Sequence, residues 1–212
     1  MRSIKILAAI GFAAAAVAAN ADPISISSTG YGLATGSTDP NWLIDGNAAK
    51  VSAANPAWTG GTAVAATGAQ WINVAGNPDA NENGGVNFFE TSFDLTGYDA
   101  STAALNVFWS SDNGSILKLN GNVIDSIAGF DGSLRSYQTN KSISITNSAF
   151  FVPGVNILTF EVTNGGDDTF SNGPIGLIAD VNGTVNAVPE PASMAALGLG
   201  GLALLRRRRK SA

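Results

Sequence analysis

The chain has 212 residues, with 11 Lys and Arg against 16 Asp and Glu, and neither His nor Cys. Without them, Ser-His and Cys-His nucleophile pairs, His-ligated zinc or iron sites and disulfides are all excluded, leaving carboxylate chemistry or hard-cation binding through oxygen. Charge is unevenly placed: from Asp22 to Ala187, about 166 residues, only Lys50, Lys118, Arg135 and Lys141 offset fifteen Asp and Glu, a formal charge near −11. That repels phosphate and excludes a nucleic-acid partner.

Met1 to Ala21 reads as a secretion signal. Arg2 and Lys5 precede an apolar run from Ile6 to Ala19, and Ala19-Asn20-Ala21 fits the small-x-small rule, so cleavage after Ala21 is expected. A stable transmembrane helix is the alternative, for which the run is short. The span 22–187 then suits one domain with a sizeable core. Its apolar residues recur at period two between Gly, Asn and Asp clusters, and no long stretch holds a 3.6-residue period, which predicts a nearly all-β domain.

The first part, Ile24 to Val74, is rich in Gly, Ala and Thr, with strands expected at Ile24–Ile26, Leu43–Ile44 and Trp71–Val74. Trp42 follows Asp39-Pro40-Asn41 and Trp58 follows Asn55-Pro56, so both sit beside turns. There they are candidates to stack on the apolar face of a sugar ring; the alternative is packing beneath a loop, the commoner fate of large aromatics. Trp109 is expected in the core.

Asp79-Ala80-Asn81-Glu82-Asn83-Gly84 followed by Glu90 matches the twelve-residue calcium loop, with Asp79, Asn81, Asn83 and Glu90 at positions one, three, five and twelve. The flanks read as strands rather than the helices such a loop needs, so a calcium site and a plain polar loop both stand.

From Phe88 to Leu95, Phe89, Thr91, Phe93 and Leu95 share one face and Glu90, Ser92 and Asp94 the other, with Asp94 facing water. Leu105, Val107 and Trp109 alternate along the next strand. Asp112-Asn113-Gly114 turns the chain into Ile116–Leu119, and Asn120-Gly121 is a strong two-residue hairpin signal. Ile143 and Ile145 mark a further strand, and Pro153-Gly154 breaks the chain before Leu158, Phe160 and Val162, which point inward opposite Thr159 and Glu161. Asp167-Asp168 lies in a Gly-rich loop that would attract a divalent ion or simply be solvated. Ile175, Leu177 and Val181 close the domain, with Asp180 outward. One sheet alone would leave its apolar face wet, so the expected architecture is an antiparallel two-sheet β-sandwich. Glycoside hydrolysis needs two carboxylates about 5 to 10 Å apart across a cleft. Glu90, Glu161 and Asp180 lie on strands with no spacing that selects a pair, and a non-enzymatic protein is expected.

The tail, residues 188–212, begins Val188-Pro189-Glu190-Pro191. An apolar run of 14 residues follows, from Ala192 to Leu205, and then Arg206, Arg207, Arg208, Arg209 and Lys210. As a helix the run spans about 21 Å against roughly 30 Å of hydrocarbon, a poor permanent anchor. Five cations hold that end on the cytoplasmic side, so the domain before Pro189 belongs across the membrane.

These two ends resemble PEP-CTERM proteins. The resemblance implies export through the Sec machinery and transient residence in the inner membrane. An exosortase would recognise Pro189, Glu190 and Pro191, with Arg206 to Lys210 as the cytoplasmic stop. It also implies a final place at the surface or in the exopolysaccharide matrix of a Gram-negative bacterium. Separately, Phe89 to Leu95, Leu117-Lys118-Leu119-Asn120-Gly121 and Phe151-Val152-Pro153-Gly154-Val155-Asn156-Ile157-Leu158-Thr159-Phe160 resemble the galactose-binding-like jelly roll, many members of which bind sugars. Two functions follow from these resemblances: a carbohydrate-binding module, or a structural or adhesive matrix protein without a specific ligand. No cofactor is expected, calcium apart.

Overall fold

A computed structural model describes residues 21–165, 172–188, 198, 200 and 201. The signal up to Asn20, the Asp167-Asp168 pair, the Pro189-Glu190-Pro191 motif and the Arg206 to Lys210 cluster lie outside the described residues. The described strands are β1 (Ala21–Pro23), β2 (Thr38–Ile44), β3 (Asn47–Val51), β4 (Ile72–Asn73), β5 (Gly85–Asp94), β6 (Tyr98–Asp112), β7 (Ser115–Leu119), β8 (Asn122–Ile127), β9 (Lys141–Ile145), β10 (Val155–Asn164) and β11 (Gly176–Ala187). Their pairings are antiparallel.

The strands form one hydrogen-bonded path, β8-β7-β10-β5-β2-β3-β4-β11-β6-β9, with β1 added to β11. This path folds over itself. The Trp109 ring on β6 lies 5.9 Å from Phe160 on β10, although those strands are far apart along the path, and Trp42 on β2 lies 6.0 Å from the same ring. Two layers therefore pack face to face, β8-β7-β10-β5-β2 against β4-β11-β6-β9, with β3 crossing between them. The expected β-sandwich is present, its layers joined rather than separate. Alternation fills the gap: Phe89, Thr91, Phe93 and Leu95 are buried together with Leu158, Phe160, Val162, Leu105, Val107 and Trp109, while Ser92 and Asp94 face water.

Turn chemistry sets the registers. Asn120 and Gly121 have φ of 51° and 78°, the two positive values that a type I′ hairpin requires. Asp45 and Gly46 repeat this at 51° and 77° between β2 and β3. That second hairpin makes β3 a strand that the apolar pattern alone did not mark.

Buried asparagines tie loops to the sheets. Asn156 Nδ2 donates to the Val152 and Gly154 carbonyls at 2.8 Å each, while its Oδ1 accepts from Val152 N at 2.9 Å and Asn120 Nδ2 at 2.8 Å. All its capacity is used, which removes the cost of burying an amide. Within the Phe151-to-Phe160 segment, Asn156 is thus the residue that folds the Pro153-Gly154 turn onto the Asn120 hairpin.

Beyond the main core, a second apolar cluster lies on the outer face of the β11-β6 layer. Trp58, Val64, Ala69, Trp71 and Ile178 form it, with Phe108 and Tyr137 packed against it. The 3-10 turn Thr59–Gly61 and the short helix α1 (Thr62–Ala65) carry part of this cover. A Cβ on Gly176 would meet the Trp58 ring at 2.8 Å, so glycine there lets the indole lie directly on β11.

Candidate functional site

Of the two readings of Trp42 and Trp58, stacking on a sugar ring and packing out of solvent, the structure shows the second, and both rings are buried. Trp42 is fully buried on β2, its Nε1 donating to the Ser27 carbonyl at 2.9 Å. The Asp39-Pro40-Asn41 segment belongs to β2 itself, and alternation turns Trp42 into the interlayer core. Trp58 is 3% exposed, its ring 4.3 Å from Trp71, and its Nε1 donates to Asp112 Oδ2 at 2.6 Å. Neither indole has a free face for a sugar.

Asp112 was not singled out by sequence reasoning, which placed it in a turn. It ends β6 and is 5% exposed. Burial pushes its carboxyl up to about 6, against the Trp58 hydrogen bond, which acts the other way. Among the described residues its Oδ1 has no partner, and neither has the buried Ser136 Oγ. An acidic residue three positions past Trp109, the last apolar residue of the alternating run, carries no mark of burial, which comes from the cover of Trp58.

The calcium pattern spans a loop and a strand. Its second half is β5, so Glu90 lies five strand positions past Gly85, about 17 Å along the extended chain. Glu90 Oε1 instead accepts from Thr159 Oγ1 at 3.0 Å, and Asp79 Oδ1 accepts from Asn55 Nδ2 at 2.8 Å. The loop carbonyls of Glu82 and Asn83 are taken by Asn164 Nδ2, at 3.1 Å each. Asn81 and Asn83 are exposed. Among the described residues, no group of three or more acidic side chains is placed to hold a metal ion.

The strand-borne acids divide between two surfaces. Glu90 and Glu161 are diagonal neighbours on the outer face of β5 and β10, held by Thr159 and by an ion pair with Lys118. Asp180 lies on the opposite outer face of the sandwich.

That opposite face carries a groove of about 270 Å³ lined by Asn106, Val107, Phe108, Ser142, Asp180 and Asn182. Register builds it in two cross-strand rows, Ser142-Phe108-Asp180 and Ser144-Asn106-Asn182, on β9, β6 and β11. Asn106 Oδ1 accepts from Ser144 Oγ at 2.6 Å, and its Nδ2 donates to Asn182 Oδ1 at 3.3 Å. Asp180 Oδ1 accepts from Ser28 Oγ at 2.7 Å.

The domain's two ends leave together. Ala21 pairs with Asn186, Ala187 pairs with Tyr98, and Val188 N donates to the Gly97 carbonyl at 3.1 Å. The chain therefore enters at Ala21 and leaves at Val188 on one end of the sandwich.

No curated protein matches the chain significantly. The Stig cyclase Fisc from Fischerella sp. TAU, in complex with a pyrrolidinylidene-indole, is 15% identical, covering 80% of this chain and all of that one at a TM-score of 0.45. TmCBM61, in complex with β-1,4-galactotriose, is 16% identical over 70% of this chain and 90% of that chain, at 0.41. A family 35 carbohydrate binding module from an environmental isolate is 11% identical over 79% and 98%, at 0.30. Likenesses at these scores carry no argument about activity or ligand. The tail is different, because residues 187–210 match the PEP-CTERM protein-sorting motif, beginning at the last residue of β11. The chain is a β-sandwich that ends in a PEP-CTERM sorting motif.

Proposed function

We propose that this chain is a non-catalytic β-sandwich exported through its leader, processed by an exosortase at its tail, and displayed at the cell surface or in the extracellular matrix, where it binds exopolysaccharide. The observation that carries this reading is the sorting motif starting where β11 ends, beside the strand that follows the leader. With both ends on one side, the sandwich is held at the membrane by that side alone during transit, and its outer faces and far loops stay free.

Non-catalytic character is supported by the absence of His and Cys and by the binding of Glu90 and Glu161 to strand neighbours. Burial of Trp42 and Trp58 favours the second reading, a structural or adhesive matrix protein without a specific ligand. Fractionation of cells expressing the full chain tests the shared part: the protein is expected in the envelope or medium, and removal of Val188 to Ala212 is expected to change its final compartment. Retention of the full chain in the cytosol would end both readings. Saturable binding to a glycan separates the first from the second.

A further inference from the structure

We infer that the groove on the outer face of β9, β6 and β11 is a saccharide subsite, and that it takes a neutral sugar rather than a uronate. This rests on the reading that the exported domain binds polysaccharide.

Three features carry the inference. The first is shape: a shallow cavity of about 270 Å³ on an open sheet face admits a ring of a long chain without enclosing the chain's ends. The second is the pairing of one ring with convergent polar groups. Phe108 is half-buried because one side packs on the Trp58 and Trp71 cluster while it also lines the groove, so the ring is fixed before any ligand arrives. A fixed aromatic face beside hydroxyl-gripping groups is the arrangement that sugars use. Around it, Ser144 and Asn182 lock the Asn106 amide, and Ser28 locks the Asp180 carboxylate through Oδ1. Among the described residues, Asp180 Oδ2 and Asn182 Nδ2 have no protein partner, which leaves one acceptor and one donor for adjacent sugar hydroxyls.

The third feature is charge. Among the described residues, Asp180 is the charged side chain of the groove and no Lys or Arg lines it. Around it the span from Asp22 to Ala187 carries fifteen Asp and Glu against four cations. A uronate carboxylate would meet Asp180 at close range with nothing to neutralise it, whereas a neutral ring meets hydrogen-bond partners only.

The test uses the full-length chain purified in detergent, applied to an array of neutral glucan, galactan and mannan oligosaccharides together with polygalacturonate and alginate. Calorimetry with the best neutral probe follows. A neutral oligosaccharide is expected to bind and the polyuronates are not. Asn182→Ala removes the donor left for the sugar, and Asn106→Ala removes the amide that holds Asn182 in place; both positions are exposed, and each change is expected to weaken binding about tenfold. Phe108→Leu keeps an apolar contact with the tryptophan cluster and removes the ring face, and is expected to weaken binding similarly; a thermal melt verifies that each variant is folded. If the unmodified chain binds a neutral glycan and the three folded variants bind it equally well, the subsite is overturned while polysaccharide binding stands. Preference for a polyuronate overturns the charge argument. Absence of binding to every glycan overturns the subsite and the binding reading together.

Discussion

Trp109 and Trp58 are both buried indoles that donate a hydrogen bond, and they differ in what receives it. Trp109, between the layers, donates to Ser115 Oγ at 3.2 Å, which also accepts from Ser111 Oγ at 2.8 Å. Trp58, outside the layer, donates to the carboxylate of Asp112. The Trp109 indole is thus satisfied by neutral hydroxyls, while the outer cluster holds a titratable group with one oxygen unpartnered among the described residues. Packing in the first is indifferent to pH, and packing in the second is not.

Truncating the interlayer core has the largest expected effect. Trp109→Ala removes a ring that contacts Phe160 and is expected to cost about 3 to 5 kcal/mol in urea unfolding, nearly equally at pH 5 and pH 7. An equal loss from Trp58→Ala would mean that the outer cluster is no satellite.

Trp58→Phe isolates the carboxylate. It keeps an aromatic ring against Trp71 but leaves Asp112 without a partner among the described residues, at a cost of about 1 to 3 kcal/mol at pH 7. At pH 5 Asp112 is largely protonated and the loss should shrink. A loss independent of pH would refute the link between the two residues.

The pH dependence of the unaltered chain is smaller. Asp112 titrates near 6 when folded and near its ordinary 3.8 when unfolded, so between those values the folded state binds the extra proton. Stability therefore rises as pH falls from 7 to 5, by about 1 kcal/mol, and falls as pH climbs through 6. Asp94, held low by Thr96, and Asp131, held low by the Leu134 and Ser133 amides, act in the opposite sense. Their effect develops only below the ordinary carboxylate range. Asp112→Asn is expected to flatten the slope between pH 5 and 7, as read by thermal melts.

Lys118→Met should matter least. The Lys118–Glu161 pair is partly solvated, with side chains 24% and 20% exposed, and its loss is expected to cost under about 1 kcal/mol, less still in high salt.

How far the sequence led follows the same division. From Phe89 to Val181 each layer has one wet face or one covered face with a clear period of two, and that alternation revealed β5, β6, β10 and β11 with their inward residues. Asn120-Gly121 was legible because positive φ at two positions needs those residue types. Asp45-Gly46 carries the same signal between Ile44 and Asn47 but was not read, and β3 was missed with it. The first seventy residues resisted because their strands are short and share edges: β4 and β1 both add to the free edge of β11, at Leu177 and at Thr184 to Asn186. Trp42 and Trp58 stayed between two readings for a related reason, since nearby turn residues say nothing about which side a ring faces. The calcium pattern counted Glu90 with the loop, although alternation puts that residue on β5. The groove was invisible because its rows come from three strands separated along the chain.

The most direct test of the account is intact-mass spectrometry of this protein from cells with and without exosortase. With the enzyme, the account predicts a chain that begins at Asp22 and has lost Arg206 to Lys210; without it, the chain keeps its tail. An unprocessed chain from Met1 to Ala212 in both strains would contradict it.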